Sequence, residues 1–339
     1  MLNQRIARSA QDVIKTLPKT KATTAQKRAM LRNLLASDNG LQKVGQGMVG
    51  PILMRLQYEG IARNVLQEDP LEKGAGMYYD VATDVGIAYI LDGYGAQVQV
   101  QEFEGKRVRY ETFPVSAYPQ ILKEDLYALR LDILEYAQNE ATQGIMRKED
   151  GYLIDILDKV VENSANVHNP IAPQMDGKKR TVDVSGGLDW QSILKGARFA
   201  DASQLSATNL IMHPATARDL QGLDITTLGV EMKDAIMSTG APVTRIGEFN
   251  ILKSVMVPYA EAADATAGTA AVTGKVYVVP EAQYLGMMPV LWSLDTTENN
   301  KPEERKFGWV MDEDINMIVL NPFGVSRLDI TAIGEDQSE

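Results

Sequence analysis

Cysteine is absent from this 339-residue chain, which excludes disulfides, thiolate zinc sites, iron–sulfur clusters and cysteine nucleophiles. Histidine is nearly absent: His168 and His213 are the only two, too few for a multi-histidine metal cage. Long apolar runs are missing as well. Stretches such as Val276–Pro280 fall far short of the ~18 residues that mark a membrane-spanning helix. The first ten residues are amphipathic and basic, without the continuous apolar core of a signal peptide. These absences describe a soluble protein of a reducing compartment with no membrane partner.

What is present is ordinary in amount and uneven in placement. Apolar residues make up 45% and charged ones 23%, close to the globular average, and the length suits two ordinary domains or one elaborate one. The 45 acidic residues outnumber 34 basic ones, for a net charge of −11. Residues 1–36 nevertheless hold four lysines, four arginines and a single acid, Asp12, a net +7 that leaves −18 on the rest. Phosphates are repelled by so acidic a body, which excludes a general nucleic-acid-binding surface over most of the molecule.

Residues 1–62 read as an arm. Leu2, Ile6, Val13, Ile14 and Leu17 recur at helical spacing, Pro18 interrupts, and Met30, Leu31, Leu34 and Leu35 resume the pattern. Such short stripes enclose no core and need another surface to lie on. Within the strand-like residues 63–115, Phe103-Glu104-Gly105 fits a three-residue hairpin loop with Gly105 in the left-handed position. That register sets Glu102 against Lys106, Val100 against Val108 and Val98 against Tyr110 on an apolar face, with Gln101, Gln99 and Gln97 against Arg107, Arg109 and Glu111 on a polar one. A free two-stranded hairpin is marginal in water, so the apolar face lies either on its own domain or on a neighbour.

A long helix is expected from between Pro119 and Glu124 to Lys148, with Leu122, Leu126, Leu129, Ile133, Tyr136, Ala137, Ala141 and Ile145 on one stripe. Gly151 is expected to end it, and a second helix to cover Tyr152–Glu162. Asp189 can cap a short helix reaching Phe199. Short strands and helices follow: Asn209–Met212, a helix with Pro214 in its first turn, two strands around Gly247-Glu248, Lys275–Val279, a long hairpin formed by Met287–Thr296 and Lys306–Leu320, and Ser326–Ile333.

The motif matches fail in their physical context. Gly45-x-Gly47-x-x-Gly50 has no strand before it and Pro51 directly after it, so it reads as a joint rather than a pyrophosphate cradle. Gly268…Gly274-Lys275 has one residue too many for a phosphate loop and Val276 where a metal-binding hydroxyl belongs. Asp312-x-Asp314-x-Asn316 opens like a calcium loop, but Met317 replaces its glycine and Phe323 its final glutamate, so its acids read as alternating on a solvated strand. His213, before Pro214, reads as structural or capping, and His168 as exposed. No Gly-x-Ser-x-Gly elbow occurs. No catalytic, cofactor-binding or metal residue is assigned, and no enzyme activity or cofactor is expected.

The order of parts, a basic arm, an extended hairpin, a long helix, a mixed α/β region and a long carboxy-terminal hairpin, resembles the tailed-phage major capsid proteins of the Hong Kong 97 type, an α+β fold shared with encapsulins. The resemblance rests on three stretches: Gly105–Val115 running into Lys123-Glu-Asp-Leu; Ile246–Pro258; and Lys275–Pro280 through Gly286–Val290, Lys301–Glu304 and Gly308–Val310 to Val319–Gly324. It implies an N-terminal arm over 1–62, an extended loop and its base strands over 63–118, and a peripheral domain with a spine helix over 119–205. An axial domain over 206–286, a hairpin over 287–310 returning to the peripheral domain, and axial-domain strands with a tail over 311–339 complete it. It also implies a virion protein, assembled in the host cytoplasm, whose pentamers and hexamers close an icosahedral head.

Partners implied are the chain itself, a scaffold, a portal, an optional decoration protein, and packaged double-stranded DNA without sequence-specific binding. No cleaved leading segment is expected, and the residues of a covalent cross-link cannot be placed. Subunit-interface candidates are Val98, Val100, Glu102, Lys106, Val108 and Tyr110 on the loop, and Ile6, Val13, Leu17, Leu31 and Leu35 on the arm. An encapsulin-like compartment shell is the alternative, and a cytosolic α/β enzyme with a dispersed site is a third.

Overall fold

The computed structural model describes residues 60–72, 76–82, 105–127, 131–162, 179–184, 188–219, 245–259 and 274–330, with isolated positions between 42 and 74. From residue 60 onward the elements are the single-turn helix α1 (Ala62–Val65) and strands β1 (Gln67–Pro70), β2 (Tyr78–Ala82), β3 (Gly105–Arg109), β4 (Phe113–Ala117) and β5 (Gln120–Leu122). Helices α2 (Lys123–Tyr127) and α3 (Leu131–Val161) follow, then β6 (Thr181–Val184), α4 (Trp190–Ala202), β7 (Ala207–Met212), α5 (Pro214–Asp219), β8 (Arg245–Ile246) and β9 (Phe249–Lys253). The remainder is β10 (Gly274–Pro280), α6 (Ala282–Leu285), β11 (Gly286–Glu298), β12 (Lys306–Ile315), β13 (Ile318–Val319) and β14 (Ser326–Ile330). Two compact units result, one from Met1–Ile52, Ala117–Ala141 and Asp295–Met311, the other from Leu53–Ser116, Thr142–Leu294 and Asp312–Glu339.

The larger unit is organised by a mixed six-stranded sheet in the order β6-β14-β10-β7-β9-β8. Side chains alternate faces along a strand, and the sequence uses that period. Val276, Val278, Leu328 and Ile330 point to one face and join Ile193, Ala197 and Ala200 of α4 in a single buried cluster. Tyr277 and Arg327 point to the other face, where they meet Asp158 of α3. Helix α4 starts as expected, with the Asp189 carboxylate accepting the Ser192 N–H at 2.6 Å. It lies close on the sheet because residue 196 is glycine: a β-carbon there would stand 3.1 Å from Val278 and 3.2 Å from Leu328. Gly247 turns β8 into β9 with φ of +57°, a conformation glycine adopts without penalty.

Three expectations are corrected in this unit. Residues 181–202 share the sheet and core of β7–β10, so no domain boundary falls at 205/206. The cause is the parallel pairing of β6 with β14, a contact between distant residues that local pattern cannot announce. Second, α3 runs through Gly151 without a break. An interior glycine costs only about 1 kcal/mol relative to alanine, and the contacts of Glu149 and Asp150 described below hold the helix there. Leu153, Ile156, Leu157 and Val160 are buried as expected. Third, Leu56, Ile61 and Ala62 are also buried, so the end of the arm is anchored in its own chain.

In the smaller unit, β5 pairs antiparallel with the start of β12, Ile121 opposite Phe307. Strand geometry turns Ile121 inward and leaves Leu122 about half exposed, which removes Leu122 from the expected helical stripe. Tyr136 leaves it too, at 68% exposed, whereas Ala137 and Ala141 are buried. The side chains of Leu126, Leu129 and Ile133 lie outside the described ones. Around the polar turn between β11 and β12, the Tyr118 hydroxyl donates to the Asn299 carbonyl at 3.0 Å, and Arg305 takes the left-handed conformation with φ of +54°.

Candidate assembly surfaces

The base of the extended loop is a two-stranded ribbon. β3 pairs antiparallel with β2, setting Tyr79 against Val108 and Val81 against Lys106. Gly105 opens this strand opposite Ala82, where the sequence placed it as the last residue of a three-residue loop. Val108 and Tyr110 are each 3% exposed, so at the base the apolar face is covered within the chain, and these two residues offer nothing to a second copy. Tyr110 stacks on Tyr79 with ring centroids 4.9 Å apart, and the Tyr79 hydroxyl donates to Asp69 at 2.6 Å. Burial and that carboxylate push the Tyr79 phenol up. On the outer face Arg107 pairs with Asp80 at 2.7 Å, both side chains more than half exposed. Val98, Val100 and Glu102, the Lys106 side chain, and Ile6, Val13, Leu17, Leu31 and Leu35 lie outside the described residues.

Two charge networks, both on α3, hold the larger unit together. In the first, one carboxylate serves three donors. Asp158 accepts from the Lys275 ammonium at 2.6 Å, the Tyr277 hydroxyl at 2.6 Å and Arg327 at 2.9 Å. Burial works against its charge, but these three partners win and hold its carboxyl below the ordinary range. Arg327 also forms a two-pronged pair with Asp329. In the second network, one guanidinium serves two buried carboxyl groups: Arg63 Nη2 lies 2.7 Å from Glu149 and 2.8 Å from Glu313. Beside it, the Asp150 carboxylate accepts the N–H groups of Ile61 and Ala62 at 3.1 and 3.2 Å and the Ser254 hydroxyl at 3.0 Å. Burial pushes the Asp150 carboxyl up to about 6 despite these donors.

None of this resembles a reaction centre. His213 Nδ1 accepts the Ala215 N–H at 3.1 Å and its ring stacks on Tyr259, the capping role expected of it. Lys275 is held by Asp158, so it does not serve a phosphate. Asp312 and Asp314 alternate at half-buried positions on β12, and no cluster of metal-ligating side chains occurs among the described residues. An open cleft of about 410 Å³ runs past Arg63, Glu68, Glu281 and Gln283, but its one cation is already committed to Glu149 and Glu313.

No protein-family model matches the chain, and no curated protein matches it in sequence. Solved structures do. The capsid of cyanophage P-SCSP1u superposes with a TM-score of 0.54 at 11% identity, covering 82% of this chain and 89% of that one. Gordonia phage Cozz gives 0.51 at 17% identity, over 81% and 87% of the two chains. The mature capsid of bacteriophage PhiM1 gives 0.50 at 13%, over 82% and 89%. The chain has the Hong Kong 97-type capsid fold.

Within this Hong Kong 97-type fold, the residues that sequence reasoning missed are those of the two networks: Arg63, Glu149, Asp150 and Glu313, and Asp158, Lys275, Tyr277 and Arg327. Glu149-Asp150 sits in a charged stretch of helix and looks like any solvated face. Glu313 stands between the half-buried Asp312 and Asp314, and only the strand period sets it apart.

Proposed function

We propose that the chain is the major capsid protein of a tailed double-stranded DNA phage, copies of which form the pentamers and hexamers of an icosahedral head. One observation carries the reading: the likeness to phage capsids extends over about four-fifths or more of both chains, so it concerns the whole architecture.

In this reading residues 1–62 are an arm whose end is anchored in its own chain, and the loop between β2 and β3 reaches a neighbouring copy with Val98, Val100 and Glu102. The arm offers Ile6, Val13, Leu17, Leu31 and Leu35 to another copy. Helix α3 is the spine, β6 to β10 with β14 form the axial domain, and β11 with β12 form the long hairpin. A +7 arm beside a −18 body steers copies toward one another, and symmetric repetition closes the shell. An acidic lumen lets packaged DNA slide without adhering, and scaffold, portal and decoration proteins complete the head.

Gel filtration of the purified full chain tests this. A coat protein elutes as rings or shells, whereas elution as a monomer or small oligomer contradicts the reading. Val100→Asp is expected to abolish particles and leave circular dichroism unchanged. Normal particles from that variant would remove the loop from the interface.

A further inference from the structure

Three elements bring their charges to one buried point: α1 contributes Arg63, α3 contributes Glu149 and β12 contributes Glu313. The two glutamate side chains are 0% and 1% exposed. Both place an oxygen on the same nitrogen, Arg63 Nη2. The rest of the guanidinium is already used, with Nε on Glu149 at 3.3 Å and Nη1 on Glu68 at 3.3 Å. One oxygen of Glu313, Oε1, is buried and receives no hydrogen bond when the carboxyl is ionised.

We propose that Glu149 and Glu313 hold one proton between them beneath Arg63, and that this shared proton is the latch of the segment Gly60–Pro70, released by alkali. A proton on Glu313 makes it a donor toward Glu149, leaves a single negative charge on the pair to match the single guanidinium, and meets the need of the orphaned oxygen. The carboxyl is pushed up to about 9, first by burial and then by its hydrogen bond to Glu149 and that neighbour's charge. The charged groups facing the point are Arg63, Glu68 and Glu149, with Asp150 next along the helix. Asp150 caps the backbone of Ile61 and Ala62, so α3 grips the segment twice, once by its backbone and once through Arg63.

The direction of the pH response follows. Glu313 holds its proton in the folded state far above its unfolded range. Its contribution is therefore complete below the ordinary glutamate range and is lost as pH climbs through about 9. Past that point a second buried carboxylate has no second cation, and swinging Arg63 and its segment outward relieves the repulsion.

The test compares the purified full chain with Glu313→Gln, which keeps the shape and cannot ionise, by urea unfolding from pH 6 to 8.5. The unfolding constant of the unaltered chain is expected to rise relative to the variant by close to tenfold per pH unit, the signature of one linked proton. Parallel pH profiles would overturn the proposal. Infrared spectra of the unaltered chain in D₂O need no variant. A protonated carboxyl stretch present at pH 7.5 and gone by about pH 10 is expected, and its absence at pH 7.5 would overturn the proposal even if Glu313→Gln fails to fold. Hydrogen exchange of the amides from Ala62 to Leu66 should accelerate above pH 9 beyond the intrinsic base effect. Unchanged protection there would refute the latch.

Discussion

Two acid clusters lie about two and a half turns apart on the same helix and solve opposite problems. At Asp158 one carboxylate accepts from Lys275, Tyr277 and Arg327, the last shared with Glu162 and Asp329, and these donors hold the acid ionised against its burial. At Glu149 and Glu313 two carboxyl groups face one guanidinium, so acceptors exceed donors and a proton is retained. The first cluster loses its contribution as pH falls below the ordinary aspartate range, through a depressed folded value. The second loses its contribution as pH rises. Burial disfavours the charge at both sites, and the donors each carboxyl receives against it decide which limb of the stability curve each cluster controls.

Arg63→Met strikes the comparison hardest. It strands two buried carboxyl groups, and breaking a buried pair from one side costs about 3–5 kcal/mol. Urea unfolding at pH 8 should show that loss, and at pH 5 a smaller one, because protonation relieves the stranded acids. An equal loss at both values would mean that the cluster responds to packing alone. Asp158→Asn should cost less, about 2–3 kcal/mol, because Lys275 is about a fifth exposed and can rehydrate. Its unfolding profile should flatten below pH 4, whereas an unchanged acid limb would move that limb to other residues. Tyr277→Phe removes one donor of three and should cost about 1–2 kcal/mol by the same measurement. A larger loss would mean that the three donors act as one cooperative unit. At the small end, Arg107→Ala deletes an exposed pair on the loop base. It should leave the thermal midpoint unchanged, and a clear drop would make the ribbon part of the folded core.

The two regions also differ in how far the sequence foretold them. Where structure is decided locally, the reading held: the Asp189 cap, Pro214 opening α5, the turn at Gly247 and the buried strand β10 each follow from a few neighbouring residues. Where distant contacts decide, it did not. Gly151 has the look of a stop, yet α3 passes through it because Glu149 and Asp150 are held by residues some ninety positions earlier in the chain. Likewise β6 belongs to the main sheet only through β14. Tyr136 falls on an apolar stripe by spacing and is 68% exposed. The acids of the two networks carry no sequence signal, because a buried carboxylate and a solvated one are spelled with the same letter.

The fold likeness covers about four-fifths of the chain, while the surfaces proposed to join copies lie largely in the arm and the loop. Negative-stain electron microscopy of the purified full chain addresses that gap directly. Closed shells of uniform diameter, or five- and six-membered rings, are the result expected here. A field of isolated single molecules, at concentrations where capsid proteins assemble, would contradict the account.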